Sequence, residues 1–239
     1  MDVEIVSDYL ALSRRTADLI ITLVRREPEA VLILPAGQTP KGVYRLLVEA
    51  YQDGVVDFSR VTIVALDEWG GRSRSHPLSC HHMIATSFVE KVGIPPYHFH
   101  SLDGIAADPE GECARYQALL DEIGRPTLSL LGLGTNGHIA LNEPADHLPI
   151  TTHVVPLADQ TRVRAEKEMA GQPVVSYGMT LGMPQIMAAS TILLIANGPH
   201  KKTAVQAMLS GPIDTHCPAS LLQLHPNALI ILDEAAASA

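Results

Sequence analysis

The sequence predicts an α/β fold: a doubly wound, mainly parallel sheet with helices on both faces, Rossmann-like, in a single domain over residues 1–239. Three observations carry this. Five short apolar runs lack the polar–apolar alternation of a half-exposed strand, the pattern of strands covered on both faces. Amphipathic helical stretches lie between them, as parallel pairing requires. Polar, glycine-bearing segments directly follow the runs, where an open α/β sheet carries its ligand-binding loops.

The runs are Val31–Pro35, Val61–Leu66, Leu128–Leu133, Thr191–Ala196 and Ala228–Leu232, each bounded by Gly, Pro, Asn or Asp. A further short strand is expected at His153–Pro156. Leu12, Leu19, Ile20 and Leu23 form the apolar face of a first helix, leaving Arg14, Arg15, Arg25 and Arg26 for solvent. Tyr44, Leu47 and Val48 mark a second helix; Tyr116, Leu119, Leu120 and Ile123 mark a third. No repeat or composition break divides the chain, and the alanine-rich tail Ala235–Ala239 is expected to fray.

Composition narrows the function. The chain has 239 residues, 46% hydrophobic and 18% charged, which excludes intrinsic disorder. Aromatics are 4%, so the core is aliphatic. A net charge of −9 argues against sequence-independent nucleic-acid binding. An anionic ligand would need local positive charge. Cys80, Cys113 and Cys217 form no C-x-x-C pair, so neither a disulfide scaffold nor a structural zinc site is expected, and a reducing, cytoplasmic compartment is. The start Met1–Glu4 lacks the basic region of a signal peptide, and no apolar run approaches the roughly 18 residues of a membrane span. No membrane partner is expected.

The loops suggest chemistry. In Gly37-Gln38-Thr39-Pro40, glycine permits close backbone approach and proline suits a first helical turn. Free N–H groups there would favour a phosphate, although a plain strand-to-helix turn fits equally. Gly132–Gly137 matches G-x-G-x-x-G, but it lies mid-chain and runs into Asn142-Glu143-Pro144, so a dinucleotide site is rejected. No Walker A loop occurs. Asp67, beside Glu68 at a strand end, is placed for a general base or a helix cap. His138 with Glu143 nearby could shuttle protons, the carboxylate holding the imidazole tautomer. His76, Cys80, His81 and His82 match no common zinc spacing. Lys201, Lys202, Arg162 and Lys167 are the cations available to an acidic protein that holds a phosphate. Composition also makes residues 70–75 a candidate lid.

These residues form a recognisable set. Leu66-Asp67-Glu68-Trp69, with His76-Pro77-Leu78-Ser79, resembles the D-E-[YW]…H-P-x-S segment of glucosamine-6-phosphate deaminases. Gly132–Pro144 resembles that family's G-x-[DN]-G-H…N-E-P signature. Gly37–Pro40 is similar to its phosphate loop, and Leu222–Pro226 to its C-terminal L-Q-L-H-P. The related 6-phosphogluconolactonases typically have A-S-L-F-P in place of N-E-P and Asp-Glu-Arg in place of Asp67-Glu68-Trp69. Gln38, Trp69, Lys167 and a shortened 166–177 segment resemble the galactosamine-6-phosphate isomerase branch, so either epimer stands.

The resemblance implies conversion of a 2-amino-2-deoxyhexose 6-phosphate and water to a ketose 6-phosphate and ammonia, without a cofactor. It implies catalytic roles for Asp67, Asn136, His138 and Glu143, and phosphate binding by Gly37, Gln38, Thr39, Lys167 and Lys201. The partner is the small amino-sugar phosphate; monomer and homo-oligomer both stand. A lactonase-type hydrolase and a non-catalytic sugar-phosphate sensor are the alternatives.

Overall fold

A computed structural model describes residues 1–157 and 176–238. In chain order the strands are β1 (Asp2–Val6), β2 (Val31–Leu34), β3 (Thr62–Ala65), β4 (Asp67–Trp69), β5 (Phe99–His100), β6 (Leu128–Gly132), β7 (His153–Pro156), β8 (Tyr177–Thr180), β9 (Thr191–Ala196) and β10 (Ala228–Asp233). The helices are α1 (Tyr9–Arg26), α2 (Lys41–Gln52), α3 (Cys80–Ser87), α4 (Pro109–Ile123), α5 (Met183–Met187), α6 (Lys202–Ser210) and α7 (Glu234–Ala237).

All five apolar runs form strands of one seven-stranded sheet, ordered β1-β10-β9-β6-β2-β3-β5, and every pairing in it is parallel. Alternate side chains enter two separate cores. Leu32, Leu34, Ile63 and Ala65 pack with Leu12, Ile20 and Leu47 of α1 and α2. Ile33, Val64, Leu131 and Leu194 pack with Tyr116 and Leu120 of α4 and Met208 of α6. Two-sided burial explains the missing alternation in the sequence. The three expected helices are α1, α2 and α4, with the predicted faces inward.

A second sheet, β4-β8-β7, is antiparallel. Its β7 is the expected short strand. The sequence reading placed Asp67–Trp69 in a loop; the structure makes it a strand because β8, distant in sequence, pairs with it. Nor does Asp2–Val6 advertise itself: among the described residues it is the sheet edge, paired with β10 alone and with Val3 and Ile5 exposed. The tail also departs from expectation. Asp233 Oδ1 accepts the Ala236 N–H at 2.8 Å, capping α7, and Ala236 is buried. A capped, packed turn replaces fraying through residue 238.

Candidate active site

The strand order reverses between β2 and β6. The chain leaves β2 toward β3 and leaves β6 toward β9, so their following loops part and open a crevice at the carboxyl ends. A cavity occupies this position. Gly37, Gln38, Thr39, Asp67, His138 and Lys201, drawn from four segments separated in sequence, all line it. Asn136 and Glu143 stand behind His138 rather than in the wall. Lys167 and Arg162 lie outside the described residues.

The loop after β2 turns at Gly37, whose φ of +100° suits glycine alone. It leads into α2, where Pro40 occupies the cap position and supplies no capping side chain. The Tyr44 hydroxyl donates to Pro35 O at 2.6 Å, tying that helix back to the strand end.

Asp67 and Glu68 divide the two readings made of them. The buried Glu68 carboxylate accepts three backbone N–H groups: Trp69 and Cys80 on Oε1, both at 2.8 Å, and His81 on Oε2 at 2.9 Å. It therefore caps α3 together with Ser79, whose Oγ accepts the His82 N–H at 2.9 Å. Burial nonetheless pushes the Glu68 carboxyl up to about 7, against the pull of those donors. Asp67 instead faces the cavity. Burial raises it to about 6, a hydrogen bond from the Cys80 thiol opposes the rise, and His138 is close enough to act on it. Cys80 itself is driven well above the usual thiol range by burial and by the two carboxylates, so it is a neutral donor.

His138 follows a tight turn after β6. Its Nδ1 meets Glu143 Oε2 at 3.2 Å, and Asn136 Nδ2 donates to the same oxygen at 2.7 Å. Asn136 Oδ1 accepts the His138 N–H at 3.3 Å. An ionised Glu143 thereby assigns the proton to Nδ1 and leaves Nε2 as the basic nitrogen. The ring lies on Gly134, where a Cβ would fall 2.3 Å from His138 Cδ2. The buried Asn142 holds the far end of the loop through Leu181 O at 2.8 Å.

Lys201 is buried at the end of the turn after β9, at the head of α6, and its Nζ donates to Leu133 O just past β6. Its turn is anchored by Asp233, whose carboxylate accepts the Gly198 N–H at 2.9 Å. An anion in this cavity would meet that ammonium and the backbone of Gly37–Thr39.

The candidate lid at 70–75 is pinned in this structure. Gly71 N–H donates to Gly104 O at 2.6 Å, Arg74 reaches Ser101 O at 3.4 Å, and Arg72 is buried. The histidines around Cys80 diverge. His81 Nδ1 sits 2.8 Å from Ser101 Oγ with its ring stacked on Phe99, while His76 Nδ1 accepts Leu78 N–H. Among the described residues no group of three His, Cys, Asp or Glu side chains could hold a metal. The sequence reading missed Cys80 and Trp69 as cavity residues. The helix-start signal at Ser79 is what could have found Cys80, since it puts Cys80 in a first turn beside an acidic strand.

Comparison with known proteins identifies relatives of the chain and of its fold. The model of a family described as glucosamine-6-phosphate isomerases/6-phosphogluconolactonase matches residues 8–231. Glucosamine-6-phosphate deaminase of Halothermothrix orenii is 39% identical, covering 100% of this chain and 99% of that protein. Its counterpart in Thermoanaerobacter pseudethanolicus is 37% identical, covering 100% and 94%. A solved structure of a monomeric glucosamine-6-phosphate deaminase superposes with a TM-score of 0.96 at 36% identity, covering 100% of this chain and 99% of that one. The 6-phosphogluconolactonase from Leishmania guyanensis shares the fold, with a TM-score of 0.79 at 20% identity and coverage of 99% and 97%.

Proposed function

Because the chain belongs to the family of glucosamine-6-phosphate isomerases and 6-phosphogluconolactonases, we propose that it is a deaminating aldose–ketose isomerase, converting glucosamine 6-phosphate and water to fructose 6-phosphate and ammonia. The observation that carries this reading is the meeting of Asp67 and His138 in one cavity with a phosphate-suited loop and a buried lysine.

The substrate's phosphate rests on the N–H groups of Gly37, Gln38 and Thr39 and on Lys201. His138 moves a proton at the ring oxygen, opening the pyranose to the aldehyde. Glu143 and Asn136 hold its tautomer. Asp67 then takes the C2 proton, and the electron pair shifts through C1 to the aldehyde oxygen, which is protonated to give an enolamine. The protonated Asp67 exchanges with solvent and delivers a proton to C1, leaving a ketimine at C2. Water adds to C2, the nitrogen departs as ammonia, and a ketone remains. One carboxylate serves both carbons because they are adjacent. A base raised to about 6 by burial is ionised at neutral pH yet more basic than an exposed aspartate, which suits carbon-acid chemistry.

Relatives named for the gluco substrate support that epimer over the galacto one. The monomeric solved relative supports a monomeric working state, to be checked by analytical ultracentrifugation. Unpaired Cys80, Cys113 and Cys217 suit a reducing compartment such as the cytoplasm.

The test is ammonia release from glucosamine 6-phosphate and galactosamine 6-phosphate, run in deuterium oxide. Ammonia together with deuterium at C1 of the ketose is expected. Hydrolysis of 6-phosphogluconolactone with no ammonia from either amino sugar would overturn the reading in favour of a lactonase.

A further inference from the structure

Helix α2 begins without a cap of its own, because Pro40 has no side chain able to accept a hydrogen bond. The missing partner comes from the start of α1. The Tyr9 hydroxyl accepts the Gly42 N–H at 2.8 Å. The same hydroxyl, turned the other way, lies 3.0 Å from Thr39 O and 3.2 Å from Gln38 O, and donates its proton to that pair. Tyr9 is itself fixed at the head of α1, where Asp8 caps the helix by accepting Ala11 N–H at 2.8 Å and Ser13 Oγ donates to Tyr9 O at 2.8 Å.

This has a geometric consequence for the loop. A trans peptide is planar, and its N–H points opposite to its C=O. Gln38 O, which accepts from both the phenol and the Lys41 N–H at 3.2 Å, is held toward Tyr9, and this turns the Thr39 N–H to the side away from it. Gln38 and Thr39 line the cavity and Tyr9 does not. A side chain outside the cavity thus sets the direction of an amide inside it.

We propose that Tyr9 is a positioning residue for the substrate's phosphate: its hydroxyl closes the start of α2 and locks the Gln38–Thr39 peptides in the orientation that receives the anion. This rests on the proposed deaminase reading for its substrate, but the anion site can be probed with inorganic phosphate alone.

The experiment is Tyr9→Phe, which keeps the ring and removes the hydroxyl. Steady-state kinetics on glucosamine 6-phosphate and the dissociation constant of inorganic phosphate by titration calorimetry are both measured, with a thermal melt alongside. The expected result is KM and the phosphate dissociation constant both raised by about 5- to 10-fold, the scale of one lost hydrogen bond, with kcat held within about twofold. A lower melting temperature with KM and phosphate affinity unchanged would reduce Tyr9 to a structural cap and overturn the proposal. So would a fall in kcat at constant KM. If wild-type protein releases no ammonia but phosphate binding still weakens in Tyr9→Phe, the deaminase reading fails and the positioning role survives.

Discussion

Asp67 and Glu68 are neighbours in the chain, and both are engaged with Cys80, yet through different atoms: Glu68 accepts the Cys80 backbone N–H at 2.8 Å, and Asp67 takes the Cys80 thiol hydrogen. Alternation along β4 sends successive side chains to opposite sides. One acid therefore closes the first turn of α3 and the other is left at the cavity. The cap also sets the position of the thiol that touches Asp67.

The first prediction concerns the acid limb of the pH profile. Asp67 must be ionised to act, and burial raises it to about 6. The limb of kcat/KM should therefore fall below about pH 6. The Cys80 thiol favours the charged form, so Cys80→Ala should move that limb to higher pH. Cys80→Ser, which keeps a donor, should return it to the wild-type position or below. Identical profiles in all three proteins would remove Cys80 from the tuning of Asp67.

Asp67→Asn should abolish turnover and stabilise the fold. The carboxyl binds protons more tightly in the folded protein than unfolded, so its contribution to stability is complete below the usual aspartate range and is lost as pH rises through about 6. Above that pH the buried charge weakens the wild type, and the neutral amide does not. Urea unfolding at pH 8 should show a gain of about 1–3 kcal/mol, allowing for partial solvation, with the gain shrinking toward pH 4. A gain over the wild type no larger at pH 8 than at pH 4 contradicts this.

His138 and Glu143 should separate ring opening from proton transfer at carbon. His138→Ala is expected to slow turnover of the ring form by roughly 10²–10⁴-fold. It should damage an open-chain substrate much less. Glu143→Gln should act in the same direction, because the amide that replaces the acceptor-only carboxylate at the 3.2 Å contact can present either an oxygen or an N–H to Nδ1 and no longer assigns the imidazole tautomer. Equal losses on ring and open-chain substrates would shift His138 to the carbon chemistry.

Lys201 is held on Leu133 O, deep beside the loop after β6. Lys201→Ala should raise KM by about 100-fold with a smaller change in kcat, as removal of a charge-assisted phosphate contact implies. Lys201→Arg should not restore it. The buried space suits a compact ammonium, and a planar guanidinium presents its donors in a different geometry. Inorganic phosphate inhibition provides the independent measure.

Much of the candidate site was legible because it is written in local patterns. The runs 31–35, 61–66, 128–133 and 191–196 identify strands, and the segments after them hold Gly37–Thr39, Asp67, His138 and Lys201. Strand direction alone then sends those loops to one sheet edge. The 132–144 motif also links Asn136, His138 and Glu143 within a span short enough for their contacts to be local.

What remained hidden depended on partners distant in the chain. The antiparallel strand at 67–69 exists only because Tyr177–Thr180 folds against it, and Tyr9 reaches the loop after β2 only because α1 packs on α2. The tail helix likewise needs Asp233 as its cap and a core to cover Ala236. The sequence by itself determined the parallel sheet, its helical layers and which segments come to line the cavity, since side-chain periodicity and backbone chirality are properties of each segment alone. Tertiary structure decided which of two adjacent acids would face the cavity and which would cap a helix. That choice turns on strand pairing and on the N–H groups of a helix that no local pattern locates.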